Sequence, residues 1–419
     1  MAEVPVPHET GAGPAQAGQA FDGAALLRRL RVQAARLGLS QIEVSDLDLA
    51  DCEPRLLRWL RQGMHGDMHY MQRHGLLRMR PAELLPGTLR VLTARLDYLP
   101  ADTPPGWRQI EWQRLGDAQA AVVSLYARGR DYHKVLRGRL AQLAQWLQRE
   151  ARPRVLRVFS DSAPVAEVAL GVRSGLGWRG KHSLLLRRDS GSMFFLGEIY
   201  TDLPLPAGQP RAAHCGSCSR CLQVCPTHAI VAPYVVDARR CLSYLSIEHP
   251  GPIPAELRPA MGNRVYGCDD CQLVCPWNRF ARRSPLPDFL PRDGLRQGSL
   301  LELWGWSEPD FLRRSEGSAI RRIGWQRWRR NLAVALGNAR RRLPADDAAQ
   351  RPLGAALAAA LPLADALPAE HIAWALAQPA GGEGAAAQPP LPAHAPAHAP
   401  AHALAHALAH ALGRPPLAP

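Results

Sequence analysis

Cys215-Gly-Ser-Cys218-Ser-Arg-Cys221-Leu-Gln-Val-Cys225-Pro226 places three cysteines at equal two-residue gaps and a fourth just before proline. This is the spacing with which thiolate loops hold [4Fe-4S] clusters in pairs. Further on, Cys268-Asp-Asp-Cys271-Gln-Leu-Val-Cys275-Pro276 repeats most of it, and Cys241 stands between the two stretches. Of the nine cysteines in the chain, these eight form two sets of four. A cysteine that follows a Cys-x-x-Cys-x-x-Cys loop points away from that loop's cluster and reaches the neighbouring one. Cys215, Cys218, Cys221 and Cys275 are therefore expected to hold one cluster, and Cys225, Cys241, Cys268 and Cys271 the other. Paired Cys-x-x-Cys also suits four-cysteine zinc sites. Three evenly spaced cysteines closed by Cys-Pro favour iron–sulfur. The ninth cysteine, Cys52, reads as a small apolar residue at a helix start, and nothing suggests a disulfide framework.

The composition narrows the setting. A chain of 419 residues that is 47% hydrophobic can bury a large core and is expected to form two or three domains. No uninterrupted apolar run is long enough to span a bilayer. Residues 1–20 are rich in Ala, Gly and Pro and do not read as a secretory signal. Reduced thiols without an export signal point to the cytoplasm. The excess of 51 basic over 37 acidic residues gives +14, which favours a polyanionic partner, nucleic acid first. Arginine enrichment is also a habit of high-GC genomes and needs no partner.

Five segments are expected. Residues 1–20 read as disordered. From 21 to 202 an α+β catalytic part is predicted, its first stretch (21–110) helical, with Asp22 as N-cap, Leu26, Leu27, Leu30 and Leu37 on one side, and Gly38 as a stop. Strands are predicted at 120–126 and 155–159, separated by an amphipathic helix at 132–147, with a further strand pair at 183–186 and 193–200. The cluster segment, 203–282, follows a proline-rich stretch. Residues 283–378 read as Arg/Trp-rich helices. In the tail, 379–419, His394, His398, His402, His406 and His410 recur every four residues and would line one side of a metal-chelating helix. Pro396 and Pro400 break that helix, so the tail reads as a low-complexity extension.

Gly175-Leu-Gly-Trp-Arg-Gly180-Lys181-His182 contains both G-x-G-x-x-G and G-x-x-x-x-G-K. Both need a strand before and a helix after, whereas here a helical stretch precedes and an extended one follows. His182 also stands where a phosphate loop needs Ser or Thr. A loop carrying Arg179, Lys181 and His182 could wrap an anionic or amide-rich cofactor, or simply enter a strand.

Longer motifs carry a resemblance. Beside the two cysteine loops stand Gly-Met-His-Gly-Asp-Met-His-Tyr-Met at 63–71, Gly-Arg-Asp-Tyr-His-Lys at 129–134 and Gly-Leu-Gly-Trp-Arg-Gly-Lys at 175–181. Leu-Gly-Glu-Ile at 196–199 and Gly-Asn-Arg-Val-Tyr-Gly-Cys at 262–268 complete the set. From 21 to 343 the sequence resembles the epoxyqueuosine reductases, which are related to reductive dehalogenases. The resemblance implies an α+β chain with a nitroreductase-like cobalamin-binding domain, a double-cluster ferredoxin-like domain and C-terminal HEAT-like helices. It implies a cytoplasmic, monomeric oxidoreductase that removes the epoxide oxygen of epoxyqueuosine at the wobble position of tRNA, the last step of queuosine synthesis. Cobalamin would supply the reductive chemistry, two [4Fe-4S] clusters would relay electrons from an external donor, and the protein would supply positioning and protons.

The same resemblance assigns residues. The family's general-acid aspartate lies just after a strand in an Asp-Ser-x-Pro-like segment, which corresponds here to Phe159-Ser-Asp161-Ser-Ala-Pro164. Such an acid must be protonated near neutral pH, hence held in a setting that raises its pKa. Read without the resemblance, Asp161 is equally a helix N-cap. Cobalamin contacts are expected at Gly180, Lys181, His182, Leu196, Glu198, Ser243, Ser246 and Asp269. Tyr132 and His133 are expected in the substrate pocket, or Asp131 merely caps the helix it begins. Asp131-Tyr-His133 also starts like the Asp-x-His-x-x-Gly cobalt-ligating sequence, but Leu136 stands where that glycine would be. Arg321, Arg322, Arg327, Arg329 and Arg330, interleaved with Trp325 and Trp328, are expected on tRNA phosphates, although a helical repeat with buried tryptophans would give the same pattern. A respiratory reductive dehalogenase would be expected to open with a twin-arginine export signal, which residues 1–20 do not contain. An electron carrier would leave most of the chain without a purpose, and an RNA-binding protein with a structural cluster would need no cobalamin.

Overall fold

The sequence of the strand Arg90–Asp97 mixes Arg, Thr and Asp with aliphatic residues, yet every residue in it after Arg90 is buried. It lies inside a four-stranded antiparallel sheet in the computed structural model, which describes residues 21–381. Residues 1–20 and the histidine-bearing tail lie outside the described residues. Gln41–Ser45 pairs with one edge of Arg90–Asp97 and Phe194–Thr201 with the other, and Leu156–Phe159 flanks Phe194–Thr201. The expectation of helix throughout 21–110 is therefore corrected, since two of the four strands lie there. The strand predicted at 120–126 shrinks to Val122–Val123, which pairs in parallel with Arg264–Tyr266 of the cluster segment. Leu185–Leu186 turns back on Trp178–Arg179 and does not pair with Phe194–Thr201.

The two faces of the sheet differ. Ile42, Val44, Leu92, Ala94, Leu96 and Ile199 meet Leu26 and Leu30 of the helix Gly23–Arg36, and Leu136, Leu140, Leu143 and Leu147 of the helix Tyr132–Ala151. Each fully buried aliphatic side chain here contributes about 1.5–3 kcal/mol. Gly197 belongs to this face, and a Cβ on it would sit 2.7 Å from Leu140 and 2.9 Å from Leu136, so the glycine lets the helix lie against the strand. The opposite face carries Thr93, Arg95 and Glu198, all buried. The helix Glu167–Arg173 covers part of it, packing Leu170 with Val91, Phe159 and Tyr200.

The cluster segment has only a small core of its own, formed by residues such as Leu242, Leu245, Ile253 and Met261. Leu273 and Val274 join the core of the sheet, while Ile247, Val265 and Tyr266 join that of the C-terminal helices. The helix Gly324–Arg342 carries Trp328, Leu332 and Leu336 into that second core and packs on Ala366–Leu376.

Three arginines expected on RNA phosphates face inward instead. Arg330 is fully buried and donates to the carbonyls of Leu245 (2.7 Å), His249 (2.8 Å) and Gly251 (2.7 Å). Arg327 donates to Ile323 (2.7 Å) and Ile247 (2.9 Å), and Arg329 to Trp304 (2.6 Å) while stacking on that indole at 3.3 Å. The physical reason is the ends of the helices Leu242–Ile247 and Leu300–Trp304, whose last carbonyls lack intrahelical donors. A guanidinium with five N–H groups satisfies several at once. Only Arg321 and Arg322 of the five are exposed. Arg321 reaches the Leu312 carbonyl and Arg322 pairs with Glu248 at 2.9 Å. Arg330→Ala should cost about 3 kcal/mol or more by leaving buried carbonyls unpaired. A lowered thermal midpoint together with reduced iron content would be the readout, and unchanged values of both would contradict the clasp.

Candidate active site

Asp161 sits on the loop that leaves the strand Leu156–Phe159, ahead of the helix Glu167–Arg173. It does not cap that helix, whose N-cap position is Ala166. Asp131 does cap the helix Tyr132–Ala151, accepting from the His133 N–H at 3.1 Å. That cap puts Tyr132 and His133 in the first turn, directed at the Asp161 loop. The Tyr132 hydroxyl donates to Asp161 Oδ2, His133 Nε2 lies 2.9 Å from Asp161 Oδ1, and His133 Nδ1 lies 2.8 Å from Asp131 Oδ1. The Tyr132 ring is stacked between His133 (4.0 Å) and Phe195 (4.1 Å). Both imidazole nitrogens are thus engaged by carboxylates.

Burial works against a charge on His133, but the hydrogen bonds and charges of Asp131 and Asp161 outweigh it and push its pKa up to about 9. For Asp161, burial pushes the pKa up, while His133, Tyr132 and the charge of Arg322 outweigh it and hold the carboxyl below its ordinary value. The expectation that Asp161 itself has a raised pKa is thereby corrected. The proton of the pair resides on His133.

Two further carboxyls stand behind Asp161. Glu198 is fully buried, and Glu167 approaches it from the helix. Burial raises both pKa values, reinforced at Glu167 by Glu198 and Asp161, and at Glu198 by Asp161. Both oxygens of Glu198, one of Glu167, the Thr93 hydroxyl and the Tyr200 hydroxyl are buried without a hydrogen-bond partner. Thr93 and Glu198 are direct cross-strand partners, so these groups share one face.

Tyr126 completes a wall, 5.8 Å from the Tyr132 ring and 6.3 Å from that of Tyr266. Tyr266 leads through Gly267 into Cys268, so the pocket and the second cysteine loop adjoin. Glu167, Tyr126, Tyr266 and Thr93 were not legible as site residues. Glu167 and Tyr126 lie six residues from Asp161 and Tyr132, a weak signal, and Tyr266 is brought in by the Val122–Val123 pairing alone.

The cysteines interleave. Cys275 is buried with Trp178 and Leu186 against Cys215, and burial, with Cys215 and Cys221 adding, pushes its thiol up to about 12. Cys241 is raised by burial with Cys225 adding, and Cys271 by burial with Cys241, Cys221 and Cys225 adding. Cys275 thus reaches toward the first loop and Cys225 toward Cys241 and Cys271. Among the described residues no cysteine is in a disulfide, and no group of three or more His, Cys, Asp or Glu is arranged to hold a single metal ion.

The expected cobalamin contacts are scattered. Lys181 donates to the carbonyls of Gly216 (2.7 Å) and Cys218 (2.9 Å), clamping the first cysteine loop. His182 is buried, accepts from the Leu184 N–H at 3.2 Å, and is lowered to about 4 by burial. Gly180 packs against His182 and Leu186. Ser246 donates to the Leu242 carbonyl (2.8 Å) and accepts from the Gly267 N–H (2.9 Å). Asp269 accepts from the Ser124 hydroxyl and from the Leu125 N–H at 2.7 Å. Leu196 and Ser243 are half-buried, and Glu198 alone of the eight brings unpartnered carboxylate oxygens. The glycine-rich loop is a hairpin entry. A Cβ on Gly177 would strike the Leu186 carbonyl, so glycine permits the close strand approach.

The family model described as 4Fe-4S double cluster binding domain matches residues 214–278, and that described as Epoxyqueuosine reductase QueG, DUF1730 matches residues 78–162. An epoxyqueuosine reductase of Alicycliphilus denitrificans is 59% identical, over 84% of this chain and 98% of its own. The chain belongs to the epoxyqueuosine reductase family. A member from Escherichia coli is 51% identical over 84% of this chain and 89% of its own. A solved epoxyqueuosine reductase from Bacillus subtilis, with an aspartate-bearing catalytic loop swung out of its active site, superposes with a TM-score of 0.69 at 25% identity, covering 85% of this chain and all of that one. One solved with an epoxyqueuosine-modified tRNA stem loop gives 0.69 at 24% identity, covering 85% of this chain and 99% of that one, and shares the fold.

Epoxyqueuosine reductases are oxidoreductases, and the double-cluster domain of this member is held at its first loop by one lysine. Lys181→Gln removes a positive charge beside that loop, so the potential of one cluster should move to a more negative value. Redox titration followed by electron paramagnetic resonance would detect the change, and identical potentials would show the lysine to be electrostatically silent.

Proposed function

We infer that this chain reduces epoxyqueuosine at the wobble position of tRNA to queuosine, the last step of queuosine synthesis, with two [4Fe-4S] clusters passing electrons to a bound cobalamin. The reaction consumes two electrons and two protons, converting the epoxide to an alkene and releasing its oxygen as water. The observation that carries the assignment to this site is the chain Asp131–His133–Asp161, which stores a proton at His133 and offers it at an exposed loop. In this reading Asp161 meets the epoxide oxygen and relays to it the proton held on His133, because an oxygen leaving as an alkoxide without protonation faces a much higher barrier. Tyr132 holds the second Asp161 oxygen, so the carboxylate presents one fixed edge.

The residues fit an amide-rich cofactor. Unpartnered oxygens of Glu198, Glu167, Thr93 and Tyr200 form a buried acceptor-rich surface that peripheral amides would satisfy. Cobalamin, when bound, supplies the reductive chemistry at its cobalt. We assign Glu198 to that contact and Lys181, His182, Ser246 and Asp269 to shaping the loops around it. The crossed thiol environments support one cluster on Cys215, Cys218, Cys221 and Cys275, and another on Cys225, Cys241, Cys268 and Cys271. The helix pair Gly324–Arg342 and Ala366–Leu376 supports a HEAT-like C-terminal region beside nitroreductase-like and ferredoxin-like parts. The relative solved with a tRNA stem loop supports tRNA as the macromolecular substrate, with Arg321 and Arg322 as its exposed phosphate contacts. No helix among the described residues is long and apolar enough to cross a membrane, and the reading places the enzyme with its tRNA in the cytoplasm.

Asp161→Asn should retain iron, cobalamin and tRNA affinity while losing roughly a hundredfold or more in single-turnover epoxide reduction. Near-normal turnover would leave Asp161 a loop residue. The pH profile supplies a second check. With the raised pKa of His133, the proton is present below about 9 and lost above it, so the single-turnover rate should be flat up to about pH 9 and fall beyond. In His133→Gln the remaining proton store is the carboxyl itself, so the alkaline limb should move down by two pH units or more. A limb that stays in place would remove His133 from the proton path. Cys275→Ser should damage the cluster of Cys215, Cys218 and Cys221. If spectroscopy finds the other cluster lost instead, the crossed assignment is wrong.

A further inference from the structure

A groove of about 720 Å³ opens on the side of the cluster segment where the first cysteine loop meets solvent. Gly216 and Ser217 of that loop are exposed, and Cys215 and Cys275 pack against Trp178 and Trp277, which line the groove. The second cysteine set adjoins the Asp161 pocket through the chain, since Cys268 stands two residues after Tyr266, a residue of the pocket wall. Electrons bound for the pocket would therefore enter at the Cys215 end.

The groove has the chemistry of a docking surface. Arg187, Arg188, Arg211 and Arg279 line it, against a single carboxylate, Asp189. Asp189 is already engaged by Arg187 (2.6 Å) and Arg282 (3.2 Å), so the net field is positive. Phe280 is 41% exposed with the Arg279 guanidinium 4.4 Å from its ring, and Trp277 stands 6.3 Å behind it. An aromatic centre with a charged rim is the anatomy of a transient protein interface, and a positive rim steers an acidic partner.

We propose that this groove docks a small acidic protein carrying a one-electron centre, the donor for the cluster held by Cys215, Cys218, Cys221 and Cys275. The proposal rests on the iron–sulfur reading above. In each encounter the reduced carrier loses one electron and the oxidised cluster gains it. Two encounters and two protons convert one epoxide to an alkene and water. Adjacency to the Cys215 loop favours a redox carrier over RNA here, because RNA gains nothing from a nearby cluster.

The test mixes the holoenzyme rapidly with a reduced, acidic plant-type ferredoxin and follows cluster bleaching. At low salt, Arg188→Glu with Arg279→Glu should slow reduction at least tenfold and abolish its inhibition by salt, with Arg188→Gln and Arg279→Gln intermediate. Dithionite, which needs no docking surface, should reduce all three enzymes at one rate. Equal ferredoxin rates across the series would overturn the proposal. So would a series that keeps the wild-type ferredoxin rate and loses tRNA affinity, which would make the groove an RNA surface. Epoxide reduction by chemically prereduced wild-type enzyme is read separately. Its failure would sink the functional reading, while the ferredoxin rates alone decide the groove.

Discussion

A segment that commits eight side chains to sulfur chemistry has little left with which to build a core, and its neighbours must hold it in place. They do so mainly by donating to its backbone. Arg330 takes three carbonyls, Asn331 takes those of Ser246 (2.8 Å) and Val265 (2.9 Å), and Asn338 takes those of Arg258 (2.8 Å) and Gly262 (3.0 Å). From the sheet side, Arg108 donates to the Leu273 carbonyl at 2.6 Å, and Asp269 accepts from the Leu125 N–H. Buried carbonyls lacking donors would each cost 1–3 kcal/mol or so, which is why polar side chains are placed in otherwise apolar cores. The cysteine loops are thereby positioned by groups that lie far from them in sequence.

This constraint changes the meaning of the charge. A chain of +14 suggests a basic surface for RNA, yet several of the C-terminal arginines work inside the protein. Burial brings Arg329 down to about 10 and Arg330 to about 9, so both remain cationic at neutral pH, with carbonyl dipoles in place of water. Arginine suits the task because its weakly hydrated, planar cation loses less on burial than an ammonium would. Exposed positive charge is left in places the count does not reveal, at Arg321, at Arg322 beside its partner Glu248, and around the groove beside Cys215.

The parts of the fold legible in the sequence were those with local causes. The helix starting after Asp22, the cap at Asp131 and the hairpin entry at Gly177 follow from neighbouring residues. Arg90–Asp97 was hidden because Thr93, Arg95 and Asp97, on its polar face, are as buried as its aliphatic residues, so no solvent-facing alternation marks it. The cysteine spacing could be read and the resemblance pointed to Asp161, but nothing in the sequence indicated the direction of its pKa. That depends on His133, 28 positions away, which a helix cap directs at the loop. The inward turn of Arg330 was equally hidden, since it depends on carbonyls some 80 positions earlier.

The arrangement of carboxyls gives the pocket its order. Asp161, Glu167 and Glu198 share one low-dielectric region and cannot all ionise, so the site must select which carries the charge. His133, Tyr132 and Arg322 hold the Asp161 pKa down and favour its anion, while burial, with the charge of Asp161 adding, raises Glu167 and Glu198 and favours their protonated forms. A neutral carboxyl can donate as well as accept, which suits an amide-bearing cofactor better than an anion would. Among these three carboxyls the negative charge is thus favoured on the exposed loop beside its proton source, while the buried face behind it carries the Arg95–Asp97 ion pair.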